Sequence, residues 1–364
     1  MLGAGAACAS GSNVSSAPIP SPSTGAITAP AGPPPLVQTT WPVRTREHVD
    51  LWLHTYALLT PDSAIVPYFE RGYRDRLMTL RRQRGVSSLI EVSRTRLLER
   101  IGVQPSLATG PQFIPFYFAS WDQMRQVIDL FIRANGNPRS TGDQNLQQYF
   151  VILGASFPTG PDREWLRTFA EAADDESRKF YHEYWLSESR THAGVVAHVD
   201  SLWQRTWRPS LQRFLNNTQQ QNGEVYLSLP LDGEGRTVHF GKTQNAVGVG
   251  MPDRLQDSES VLYTVAHEIA GAVASTAIED NTTPADRRAG ATARYEQSAA
   301  VRAGALLLER TVPTAVPGYM RFYLEAAGRQ APAEPRAAFT SAFAVPAAVN
   351  DAIARQLEVI LGGI

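Results

Sequence analysis

From Thr45 to about residue 221 the apolar positions recur at helical spacing. Thr45 opens a helix that runs to about Leu59, where Thr60-Pro61-Asp62 stops it. Val66 to Arg84 carries apolar residues on one face and arginines on the other. Ser87 or Ser88 caps a helix reaching Gly102, and Asp122 to Ala134 is strongly amphipathic. Asp162 to about His198 is long, polar and laced with Glu and Arg, which predicts one or two exposed helices. Trp203, Trp207, Leu211 and Phe214 then form a buried helical stripe.

The period changes after residue 222. Glu224 to Pro230 alternates as a strand does, Leu231 to Gly235 is a turn, and Arg236 to Phe240 returns as a second strand. Asn245 to Gly250 is a candidate third strand, and Pro252-Asp253 breaks it before a helix begins near Ser258. A further helix covers Asp286 to about Arg310. Pro313 and Pro317 end that region, and Met320 to Ala327 and Ala347 to Leu361 close the chain helically. The expected fold is α+β and predominantly helical, with a small antiparallel sheet before a central helix. Three parts follow: residues 1–40 as a linker, 41–221 as a helical region, and 222–364 as a sheet-and-helix region.

The central helix holds the candidate chemistry. Val261-Leu-Tyr-Thr-Val-Ala-His-Glu-Ile-Ala-Gly-Ala-Val-Ala-Ser-Thr276 is almost wholly apolar, as a buried helix is. His267 and Glu268 interrupt it, and buried charges are costly without partners. Residues 264, 267 and 271 share a face, with 268 about 100° away. A His-Glu-x-x-His metal helix needs a second imidazole at 271, one turn on, and this chain has Gly271 there. Glu296 sits centrally on the apolar face of the next helix, where a carboxylate needs a partner such as His267, a metal or, after a slight helix rotation, water. Glu279 and Asp280, just past the central helix, are the alternative acids. Of the other histidines, His239 lies on a predicted strand nearby and is the candidate replacement ligand. His48 and His54, like His192 and His198, lie six apart on a helix and share no face, which reads as structural.

These residues resemble the gluzincin branch of the zincin-like metallopeptidases. They also resemble an uncharacterised family of exported bacterial zincin-like proteins. The resemblance spans roughly residues 222 to 310, and only the central helix is specific; His182-Glu183 repeats the dipeptide elsewhere. It implies His267 and Glu296 as zinc ligands, Glu268 as general base, and an edge strand of the preceding sheet along which an extended peptide can pair. Gly271 departs from the pattern, so zinc binding is expected to be weak or absent. The leading expectation is a degenerate metallopeptidase relative. The alternatives are an active zinc-dependent peptidase with a compensating ligand, and a non-catalytic helical envelope or peptide-binding protein.

Composition narrows this further. A formal net charge of -1 and a pI near 6.7 exclude a general nucleic-acid binder. No Gly-x-Ser-x-Gly elbow is present, and Gly241-Lys242-Thr243 lacks the spacing of a phosphate loop. Cys8 is the single cysteine, so no intrachain disulfide forms. Residues 1–40 hold no charged side chain and are mostly Ala, Gly, Ser, Thr and Pro. Their start, Met1-Leu-Gly-Ala-Gly-Ala-Ala-Cys-Ala-Ser10, resembles the tail of a bacterial lipoprotein signal. That resemblance implies lipidation at Cys8, export to the cell envelope, and membrane contact only through the lipid anchor. The expected partner is a peptide or protein substrate.

Overall fold

The computed structural model describes residues 40–59, 69–233, 235–240, 244–288 and 290–362. Cys8 and the expected linker lie outside them.

A two-residue strand β1 (Val43–Arg44) precedes nine helices: α1 (Glu47–Leu59), α2 (Tyr73–Gln83), α3 (Leu89–Val103), α4 (Trp121–Arg133), α5 (Gln144–Ser156), α6 (Gly160–Glu176), α7 (His182–Thr191), α8 (Ala193–Leu202) and α9 (Arg208–Asn217). Local chemistry sets several of their starts. Ser88 and Glu91 form a reciprocal capping box on α3, and Thr159 and Asp162 do the same on α6. Wider π turns at Ser177–Tyr181 and Trp203–Trp207 join α6 to α7 and α8 to α9. Of the long polar stretch from Asp162, α7 and α8 are largely exposed as expected, whereas α6 is not. In α6, Trp165, Leu166 and Phe169 are buried, and its acids Asp162 and Glu176 are buried too because Arg100 and Arg81 neutralise them at 2.6 and 2.9 Å.

The strands β2 (Asn222–Ser228), β3 (Arg236–Phe240) and β4 (Gln244–Gly250) follow. The sheet order is β1-β2-β4-β3. β1 and β2 are parallel, β2 and β4 are parallel with Val225 opposite Val247, and β3 runs antiparallel along β4. The sheet is therefore mixed rather than antiparallel. β2 and β3, adjacent in sequence, are not neighbours, because β4 lies between them. β4 is buried along almost its whole length, as a central strand is.

After the sheet come α10 (Ser258–Asn281), α11 (Pro284–Arg288), α12 (Ala291–Thr311), α13 (Val316–Ala326), α14 (Arg336–Ala342) and α15 (Ala347–Ile360). The single helix expected from Asp286 is split by Gly290, whose φ of 73° is left-handed. α10 is long and apolar enough to cross a bilayer, yet 67% of that apolar window is buried inside the protein.

Strand alternation divides the interior in two. Val225, Leu227, Val247 and Val249 face one core, built with α8 to α10, α12, α13 and α15. Tyr226 and Ala246 face the other, built with α1 to α6. Trp41 and the Trp203–Leu215 stripe belong to the first core, so the sheet, rather than the sequence boundary at 221, separates the two.

Candidate functional site around His267

His267 and Glu268 lie mid-way along α10 where it passes the edge strand β3. Their side chains are 14% and 11% exposed, in a helix otherwise buried around them. His267 Nδ1 lies 3.3 Å from Glu268 Oε1. Thr237 on β3 donates from Oγ1 to Glu268 Oε2 at 2.8 Å. Both carboxylate oxygens are therefore engaged by the protein, one within α10 and one across to the sheet. Burial alone would push the Glu268 pKa up. The hydrogen bond and charge of His267, the Arg236 guanidinium and Thr237 outweigh it and hold the carboxyl below its usual range.

Close packing fixes this arrangement. Gly235, just before β3, has no side chain, and a Cβ there would stand 2.8 Å from Glu268 Cγ. Gly304 of α12 does the same under the histidine: a Cβ would stand 3.2 Å from His267 Cα and 2.9 Å from Tyr319 Cζ. Tyr319 is fully buried and donates to Val301 O at 2.9 Å. The Tyr323 ring lies 5.4 Å from the His267 ring and 4.7 Å from that of Tyr319. His267 Nε2 is buried and has no hydrogen-bond partner. At Gly271, by contrast, an added Cβ would meet nothing within 4 Å.

The proposed acids do not converge on His267. α10 and α12 run antiparallel, joined by the short stretch from Asn281 to Ala291, with Gly304 beside His267. On that register Glu296 sits opposite Ser275, eight residues from Gly304 or about 12 Å along the axis. That separation is about two helical turns. Glu279 and Asp280 are exposed near the end of α10, more than three turns past His267. His239 lies on β3 opposite Asn245. His48 contacts the Pro115 and Phe118 carbonyls, and His54 is sealed between Tyr73 and Glu176 at 3.0 and 3.2 Å. Among the described residues, no group of three His, Cys, Asp or Glu side chains gathers to hold a metal ion. One imidazole and one adjacent acid fall short of the three protein ligands that catalytic zinc takes.

A cleft of about 630 Å³ opens one turn earlier on α10. It lies at the carboxyl ends of β2 and β4, between Leu77 and Tyr184 on one side and Val261, Thr264 and Phe322 on the other. Thr264 closes its end by donating to Gly233 O at 2.9 Å.

Thr237, Gly235, Gly304, Tyr319 and Tyr323 were not legible as site residues. Thr237 carries one weak signal: a hydroxyl on a predicted strand beside a helix with a buried acid. No protein-family model, curated protein or solved structure matches the chain.

Proposed function

We propose that this chain is an exported, zincin-like protein that has lost hydrolysis, in which His267 and Glu268 serve as a clasp between the central helix and the edge strand. The observation that carries this reading is the occupation of both Glu268 oxygens, by His267 and by Thr237, beside a glycine at the second ligand position. A general base directs a carboxylate oxygen at a water. Here each oxygen already holds a protein partner, which leaves it one acceptor site and lowers its basicity. The retained function is peptide capture: β3 ends the sheet, and an extended segment adds to such an edge through backbone hydrogen bonds. Export rests on the lipoprotein-like start around Cys8.

One experiment tests the loss of hydrolysis. Purified full-length chain is assayed for zinc content and for cleavage of a quenched-fluorescence peptide library, beside Glu268→Gln. The expected result is sub-stoichiometric zinc and no cleavage in either protein. Stoichiometric zinc with cleavage that Glu268→Gln abolishes would overturn it.

A second reading, an active peptidase with a compensating ligand, draws on the orphaned His267 Nε2. Gly271→His separates the two further. The space at Gly271 admits a side chain, so zincin geometry predicts tighter zinc binding in the variant. Unchanged affinity in a folded variant counts against the zincin relationship altogether.

A further inference from the structure

Asp50 of α1 is 1% exposed, yet it touches two further elements. Trp185 of α7 donates from Nε1 to its Oδ2 at 2.9 Å. Ser228 and the Leu229 amide, at the end of β2, lie against the same carboxyl group. Those two contacts lead straight to the cleft of about 630 Å³, because Tyr184, next to Trp185, and Leu229 itself both line it. One carboxyl group thus ties the α7 wall of the cleft to the strand ends at its base, from behind. The tie is incomplete: Asp50 Oδ1 and Ser228 Oγ are both buried and neither completes a hydrogen bond.

The cations of the packed elements are engaged elsewhere. On α2, Arg76 holds Glu70 at 2.6 Å and Arg81 holds Glu176 at 2.9 Å. His54, one turn on along α1, is 3.2 Å from Glu176, and His182 of α7 is 2.8 Å from Glu47. The groups that do face Asp50 are Glu47 on its own helix, Tyr73 of α2 and Tyr181 of the π turn, and each disfavours a negative charge there or is itself too deeply buried to ionise. On the cleft side the lining adds Glu188, Asp232 and Asp253, with His192 lying 3.8 Å from Glu188. A buried carboxyl without a counter-charge stays protonated far above the usual range, here to about pH 7.

We propose that Asp50 gates this cleft: the neutral acid holds α7 against the end of β2, and the carboxylate parts them by drawing water between Tyr184 and Leu229. An isolated buried carboxylate is too costly to remain dry. The cleft supplies water once these two side chains separate, and Ser228 Oγ is then free to donate to the charged oxygen. The cleft is narrow in acid and wider in base, so whatever it admits is admitted in the upper range. The gate is separate from the His267 clasp and does not depend on how that pair is read.

The test is amide hydrogen exchange on the full-length chain, read by mass spectrometry in a series from about pH 5.5 to about pH 8.5 and corrected for the intrinsic exchange rate. Amides of residues 182–191 and 226–233 should lose protection by about tenfold or more as the pH rises, while those of α15, in the other core, do not change. Asp50→Asn, which cannot ionise, should hold both segments at their acid level throughout. Trp185→Phe removes a donor to the carboxylate, so it should move the midpoint at 226–233 to higher pH. That second variant decides the matter should Asp50→Asn fail to fold. Protection that does not vary with pH in the parent, or a response that persists in folded Asp50→Asn, overturns the proposal. So does a midpoint that Trp185→Phe leaves in place or lowers, or a loss that α15 shares equally.

Discussion

Thr237 Oγ1 donates a 2.8 Å hydrogen bond to Glu268 Oε2, and this bond ties the antiparallel edge strand to the central helix. Thr237→Val keeps the shape and strand preference of the residue but leaves a buried carboxylate oxygen without its donor. It should destabilise the protein by about 1–3 kcal/mol, read by chemical denaturation. Thr237→Ser, which retains the hydroxyl, should recover most of that loss. Equal losses in the two variants would show that the hydroxyl contributes nothing.

Two glycines on neighbouring helices should respond in opposite directions to the same change. Gly271→Ala adds a methyl group to open space within α10, so it should stabilise by up to about 1 kcal/mol through helix propensity.

Gly304→Ala drives its methyl group against Tyr319 and the His267 backbone. It should cost about 1–3 kcal/mol through overpacking and shift the His267 ring resonances. A neutral Gly304→Ala would mean that α12 slides away from α10 at little cost.

Asp50 on α1 predicts a pH effect. It is fully buried, accepts from Trp185 Nε1 at 2.9 Å, and lies against Ser228 and the Leu229 amide. Burial pushes its pKa from 3.8 up to about 7, more than these hydrogen bonds offset. The folded state then holds this proton more tightly than the unfolded chain. Its contribution to stability is present below pH 3.8 and declines as pH rises toward 7. Asp50→Asn keeps an acceptor for Trp185 and removes the titration. The melting temperature of the variant relative to the parent should therefore rise between pH 4 and pH 8. His48 and His54 have pKa values lowered by burial and act with the opposite slope, but they cancel in this difference. A difference that stays flat across the range would place Asp50 in a more polar setting than its packing implies.

What the sequence made legible was local. The helix from Ser258, the three strands and the start of α3 at Ser88 follow from period, caps and turns. What it hid was long-range. β1 is two residues long, and its parallel pairing with β2 joins positions far apart in sequence. The parallel pairing of β2 with β4 is equally silent, because alternation specifies faces but not neighbours. Glu296 shows the limit most plainly. Its angle on the helix could be read, whereas its height relative to His267 depends on the α10–α12 connection and on Gly304, neither of which has a periodic signature.

β4 passes between the two cores with glycine at 248, and Phe116 from the N-terminal half seats its ring there; a Cβ at that position would stand 2.5 Å from the Phe116 Cζ. The halves are thus keyed together by an aromatic plug in a floor without side chains. A chain severed between Gln221 and Asn222 would yield two fragments that each expose a greasy flank, because the sheet serves both as a shared wall. Neither half is a module that can be lifted out and studied by itself.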